Sequence, residues 1–210
     1  MCFFILTLML NINEGTKAVQ FARRIIEEYI TQREAPSSDL GQSFQEKQGV
    51  FVTLHTCPGH DLRGCIGIPL PVMSLKDAII ESAQSVTHDP RFPPLEGNEL
   101  DVIIVEVTVL TKPTRIIVKQ PKDYPAHIEI GQDGLIIEHG FYKGLLLPQV
   151  PVEQAWDKEE YLSHTCMKAG LPPDAWLDNN IKISKFQGQI FTETKPYGPI
   201  EEKNLDGSHH

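Results

Sequence analysis

Residues 62–67 read Leu-Arg-Gly-Cys-Ile-Gly and place a guanidinium, a thiol and two glycines within one strand length of backbone. Arg63 offers a planar, forked cation suited to a carboxylate or phosphate, and Cys65 offers a nucleophile or soft ligand once its thiol ionises. Gly64 and Gly67, lacking a Cβ, let a ligand or a second backbone approach the main chain. The two-residue period of a strand puts Arg63, Cys65 and Gly67 on one face and Gly64, Ile66 and Ile68 on the other, so thiol and guanidinium point the same way. No further residue at fixed spacing completes a known catalytic pattern, so the run defines a small polar site without naming a reaction.

Three other groups bear on that site. Glu106 lies in the apolar run 100–110, on the same face as Thr108, where a carboxylate enters what otherwise reads as core. Such a group needs a cation, and Arg63 is the expected partner; their pairing predicts that Arg63→Ala costs about 3 to 5 kcal/mol. His88 and Asp89 at a helix end form a candidate acid–base pair, and Asp89-Pro90 is equally a turn that Arg91 ties down. Cys65, Arg63, Glu106 and His88 are therefore the candidate catalytic residues, and Gly64, Gly67, Asp89 and Arg91 the candidate ligand-binding ones. His55, Cys57, His60 and Cys65 are soft ligands within eleven residues. Pro58 and Gly59 in the intervening turn send their side chains in different directions, so neither a metal nor a cofactor is assigned. The structural alternative for Cys65 is a small side chain packed in a crowded strand, and Trp156 and Trp176 read as core or interface anchors.

The elements that must position these residues are legible from periodicity. After Asn13 as candidate N-cap, Ala18, Val19, Ala22, Ile25, Ile26, Tyr29 and Ile30 recur at helical steps, and residues 34–39 break the pattern. Residues 49–55 predict a strand buried on both faces, 57–61 its turn, and 62–68 the returning strand. Ser74 and Asp77 predict a capping box for a second helix with Leu75, Ala78, Ile79, Ser82, Ala83 and Val86 buried, ended by the prolines of 88–94. A strand over 100–110 follows, then a Pro-broken stretch to Tyr124, a hairpin at 131–134 and another at 140–144. Asp157 and Glu160 cap a third helix that stops at Gly170, and 182–193 predicts a closing strand pair. Helices and hairpins segregate, which predicts an α+β fold with a mainly antiparallel sheet flanked by helices.

The chain has 210 residues, 19 basic against 28 acidic, for a net charge of −9. That balance disfavours extended nucleic-acid binding, which needs a basic stripe. Four irregularly spaced cysteines in a chain of this length point to a reducing cytoplasm. The apolar start, residues 2–10, lacks a basic leader and a cleavage site and is shorter than a membrane span, so residues 1–12 read as an N-terminal extension or first strand. Residues 207–210, Gly-Ser-His-His, read as a tag remnant.

Four words of sequence carry a resemblance: Leu-Arg-Gly-Cys-Ile-Gly at 62–67, Asp-Pro-Arg-Phe at 89–92, Val-Leu-Thr at 109–111 and Gly-Leu-Leu-Leu-Pro-Gln-Val at 144–150. In that order and spacing the chain resembles the AMMECR domain family over residues 13–193, and Lys-Ala-Gly-Leu-Pro-Pro at 168–173 is similar to its archaeal branch. The resemblance implies one such domain with a larger and a smaller subdomain, and the Cys65 segment near a groove between them. It implies a small-molecule or protein partner and, through the company such domains keep, a modification pathway with Memo-type and radical S-adenosylmethionine proteins. Two functions follow: a small thiol-dependent or anion-binding enzyme, or a binding module docking a partner through residues 62–67.

Overall fold

The computed structural model describes residues 10–32 and 40–203. The apolar start apart from Leu10, the connection at 34–39 and residues 207–210 lie outside the described residues. The chain divides into two compact units, one running to Thr111 and resuming over Gln189–Lys203, the other covering Lys112–Gly188.

The first unit opens with helix α1 (Ile12–Thr31). Its N-cap is Asn11 and not Asn13: the Asn11 side chain accepts from the Glu14 N–H at 3.1 Å and the Glu14 carboxylate accepts from the Asn11 N–H at 3.0 Å. Asn13 has Thr16 three residues on and cannot form that reciprocal pair. Ala18, Val19, Ala22, Ile25 and Ile26 are buried as the periodicity predicts, while Tyr29 is 45% exposed. Strands β1 (Gly49–Thr56) and β2 (Leu62–Ile68) form an antiparallel hairpin, and helix α2 (Leu75–Val86) follows with the six expected residues buried. Ser74 accepts from the Asp77 N–H, but the Asp77 carboxylate takes the Ser74 hydroxyl and not its backbone N–H, so the expected capping box is only half formed.

Strand β3 covers Ile103–Leu110, and Gly97–Val102 forms a 3₁₀ turn where the strand was expected to begin at Leu100. The cause is local: Glu99 turns back to accept the Glu96 N–H at 2.8 Å, closing a turn before the β-branched run starts. Strands β8 (Gly188–Glu193) and β9 (Ile200–Lys203) complete a five-stranded sheet in the order β2-β1-β3-β8-β9. Its register is set by matching apolar residues. Ile68, Val50 and Val109 align across three strands, as do Ile66, Val52 and Val107, and both helices pack on this face.

The second unit has β4 (Thr114–Arg115), β5 (Gly134–His139), β6 (Tyr142–Leu146), β7 (Lys182–Phe186), and helices α3 (Gln149–Glu153) and α4 (Lys158–Lys168). Its sheet order is β4-β7-β5-β6. The 140–144 hairpin forms between β5 and β6. The 131–134 hairpin does not: the turn leads from a 3₁₀ segment at Pro121–His127 into β5, while β4 pairs with β7, and it is held by buried Asp133, which accepts from Lys185 Nζ at 2.8 Å. The expected closing pair at 182–193 also separates, because β7 pairs with β4 and β5 while β8 belongs to the other sheet. Helix α4 has the Asp157–Glu160 capping box and ends as a Schellman motif, Gly170 N–H to Met167 and Leu171 N–H to Cys166. A Cβ at Gly144 would stand 2.5 Å from the Ala169 nitrogen, so this strand residue must be glycine for the end of α4 to reach β6.

Both units are α+β with mainly antiparallel sheets. No helix among the described residues is long and apolar enough to cross a membrane.

A buried ion pair joins the parts of the first unit. The Arg23 guanidinium on α1 donates to both oxygens of Glu193 on β8 and to the carbonyls of Leu100 and Ile103, and Glu193 also accepts the Val105 N–H. Arg23 is 5% exposed and Glu193 3%. Arg23→Ala leaves the carboxylate without its counterion, and urea unfolding should show a loss of about 3 to 5 kcal/mol; a loss below about 0.5 kcal/mol is the size expected of a surface residue and would remove the pair's structural role.

Candidate functional site

The candidate residues gather on and around β2, the edge strand of the five-stranded sheet. An edge strand carries unpaired backbone groups, and here one residue's worth is covered by side chains. The Cys65 N–H donates to Asp89 Oδ2 at 2.9 Å, and the Cys65 carbonyl accepts from Arg91 Nη2 at 3.1 Å. Asp89 and Arg91 are themselves joined, with Nε to Oδ1 at 3.0 Å and Nη2 to Oδ2 at 2.7 Å. The Asp-Pro-Arg-Phe word is thus a clip on the strand that bears the thiol. Asp89 is 2% exposed, and the Arg91 guanidinium beside it, opposed by burial and helped by the backbone N–H groups of Cys65 and Arg91, holds its carboxyl well below the usual range.

The two glycines are filled by the protein's own atoms. A Cβ at Gly64 would lie 3.0 Å from the Val86 carbonyl oxygen at the end of α2, and one at Gly67 would lie 2.4 Å from both the Val50 carbonyl oxygen and the Phe51 ring. Their close approach is to a helix end and a neighbouring strand.

Cys65 is half-buried on the opposite face of the sheet from α1 and α2. Register aligns it with Thr53 on β1 and Glu106 on β3. The Thr53 hydroxyl donates to the Cys65 sulfur at 3.3 Å. Burial pushes the thiol up, as do the Glu106 and Asp89 charges, and together they outweigh the Thr53 hydrogen bond and the Arg91 charge that act downward. At neutral pH Cys65 is a thiol and not a thiolate, the reverse of what an activated nucleophile requires.

Arg63 does not pair with Glu106. Its guanidinium makes a bidentate pair with Glu99, Nε to Oε1 at 2.7 Å and Nη2 to Oε2 at 2.9 Å. Glu106, 9% exposed, finds its cation in Lys203 on β9 at 3.0 Å, with His55 Nε2 at 3.8 Å. Burial works to raise the Glu106 carboxyl, and His55 and Lys203 overcome it, so the group sits below its ordinary value and stays ionised. The expectation that a carboxylate in an apolar strand needs a cation holds; its partner differs because β9 returns Lys203 to that side of the sheet, while the turn at 97–102 brings Glu99 to Arg63.

His88 is not part of this group. It is exposed, its Nδ1 lies 2.7 Å from the Thr87 hydroxyl, and its ring meets Tyr29 of α1 edge-on at 5.6 Å. His55 and His60 have ring centroids 6.1 Å apart, and no three His, Cys, Asp or Glu side chains among the described residues converge as a metal site. Trp176 is buried with its indole N–H on the Ser163 hydroxyl, while Trp156 stacks on His164 at 3.8 Å.

Thr53, Glu99 and Lys203 complete the site and are not marked as its members by the motif; His55, a candidate soft ligand in the sequence, stands beside Glu106. The alternation along β1 places Thr53 and His55 on the Cys65 face, and Glu96 with Glu99 has capping spacing; nothing local marks Lys203.

A family model described as AMMECR1 matches residues 19–191. Protein MJ0810 of Methanocaldococcus jannaschii is 54% identical over 198 residues, 94% of this chain and 98% of the relative. A protein of Methanocella arvoryzae is 52% identical over 200 residues, 94% and 100% of the two chains. The crystal structure of protein PH0010 from Pyrococcus horikoshii superposes with a TM-score of 0.81 at 48% identity, over 93% of this chain and 98% of that one.

Because the folded Asp89 carboxyl lies below its unfolded value of about 3.9, its stabilisation is complete above that pH and is lost as pH falls below about 4. Asp89→Asn should lower the unfolding free energy near neutral pH by about 1 to 3 kcal/mol. It should also flatten the decline of stability on the acid side. Urea unfolding in steps from about pH 7 to pH 3 measures both, and an unchanged acid slope would show that the clip contributes nothing.

Proposed function

This chain belongs to the AMMECR1 family, and from that premise we propose that it acts as a binding or adaptor module, docking a partner protein through the surface around residues 62–67. The observation that carries this reading is the way Cys65 is enclosed by its neighbours. Its thiol is kept protonated by burial and accepts a hydrogen bond from Thr53, while its backbone groups are closed off by Asp89 and Arg91. The cation beside it, Arg63, is committed to Glu99 and offers no free fork to an anion.

Two large apolar side chains remain exposed for a partner. Leu62 and Val102 are 42% and 47% exposed and lie at the same end of the sheet, on opposite sides of β1, beside the turn at 57–61. A protein partner of the Memo type or a radical S-adenosylmethionine enzyme is the one to try first, in a cytoplasmic setting that suits the free thiols of Cys57, Cys65 and Cys166.

The row of thiol, hydroxyl and carboxylate across β2, β1 and β3 favours the competing reading, a small thiol-dependent enzyme with Glu106 as base. Two measurements separate them. Iodoacetamide should modify Cys65 no faster than the half-buried Cys57 near neutral pH, followed by peptide mass; a Cys65 faster by about tenfold would restore the enzyme. Calorimetric titration with a purified Memo-type protein should give binding that Cys65→Ser retains and Leu62→Asp abolishes. Binding lost in Cys65→Ser, or indifferent to Leu62→Asp, would overturn the docking surface.

A further inference from the structure

The four-stranded sheet of the second unit ends at β4, and no strand among the described residues lies beyond it. Pairing with β7 runs one residue past β4, where the Ile116 N–H donates to the Ile183 carbonyl at 2.8 Å. In an antiparallel ladder alternate residues turn their N–H and C=O outward, so those of Arg115 and Ile117 face the open side of the sheet. Side chains alternate as well. Ile116 is buried and Val118 packs on the same core, while Arg115, Ile117 and Lys119 are exposed, Ile117 at 74%.

The charge on this edge runs against that of the chain. Lys112, Arg115, Lys119 and Lys122 fall within eleven residues, and Asp123 is the one acidic residue from Lys112 to Ile128. Arg115, Lys119 and Lys122 make no ion pair among the described residues. Lys112–Gly188 carries nine basic and ten acidic residues, so almost all of the net charge of −9 lies outside this stretch. Cations on an edge strand deter pairing with a second copy of the same edge and favour a strand of opposite charge. The exposed β-branched residue between them supplies an apolar contact for which a merely solubilising edge has no use.

We infer that the β4 edge is a docking site for an extended, acidic segment of a partner protein, which adds to this sheet as a further strand, with carboxylates toward Arg115 and Lys119 and an apolar side chain toward Ile117. This site lies in the second unit and is independent of the docking surface at 62–67, which belongs to the first.

Calorimetric titration with the capped peptide Thr-Glu-Thr-Val-Thr-Glu-Thr tests it, beside two controls: the same peptide with glutamine for both glutamates, and one N-methylated at the valine, which cannot donate to the ladder there. The acidic peptide should bind, and each control should bind more weakly by about fivefold or more. Arg115→Glu should weaken binding by about tenfold or more in a protein of unchanged thermal midpoint, since the side chain is exposed and the change replaces an attraction by a repulsion. Bound peptide should slow amide hydrogen exchange at Arg115 and Ile117, read by NMR. Leu62→Asp should leave peptide binding intact, so failure here is distinguishable from failure of the docking surface at 62–67. Absence of binding by the acidic peptide, equal binding of either control, indifference to Arg115→Glu, or unchanged exchange at the two amides would overturn the inference. So would an oligothymidylate binding as tightly as the peptide, by making the edge a general polyanion site.

Discussion

The first unit depends on one buried charge pair, Arg23 with Glu193. It links α1 to a strand 170 residues later, and through the carbonyls of Leu100 and Ile103 and the N–H of Val105 it also fixes the 3₁₀ turn and the start of β3. The pair is bidentate and is hydrogen-bonded to three backbone groups besides, the condition under which a buried ion pair is tolerated. The Tyr197 ring lies 4.2 Å from the guanidinium carbon, and burial of the arginine, which acts to lower its affinity for the proton, is overcome by Glu193. β9 pairs with β8, the strand that carries Glu193, and its Lys203 stands 3.0 Å from Glu106.

The same economy governs the motif around Cys65. Each residue type that suggested chemistry has a partner within the fold: Arg63 with Glu99, Asp89 with Arg91, the thiol with Thr53, the two glycines with Val86 and Phe51. An edge strand needs its outer backbone groups covered, and a side-chain clip can do so without a further strand. That requirement explains why a carboxylate and a guanidinium two residues apart follow the helix that packs on Gly64. The second long word of sequence has a parallel explanation. Gly144 admits the end of α4, and the carbonyls of Leu146 and Leu147 lie within 3.3 Å of the buried Tyr161 hydroxyl.

What the chain determined by itself acts over a few residues. The stripe of α2, the ends of β2, the capping box at Asp157 and the Schellman stop at Gly170 follow from side-chain period, capping spacing and glycine's access to positive φ, all contained in short windows. The four family words lie in the same category, since their residues were readable as a set before their contacts were known. Tertiary structure decided which partner each charged group met. The need of Glu106 for a cation was legible in an apolar strand, but the choice of Lys203 over Arg63 depended on strand order in the five-stranded sheet. Likewise β7 and β8, adjacent in sequence, parted into different sheets. Strand order is set by burial summed over the whole unit, and no window of sequence contains that sum.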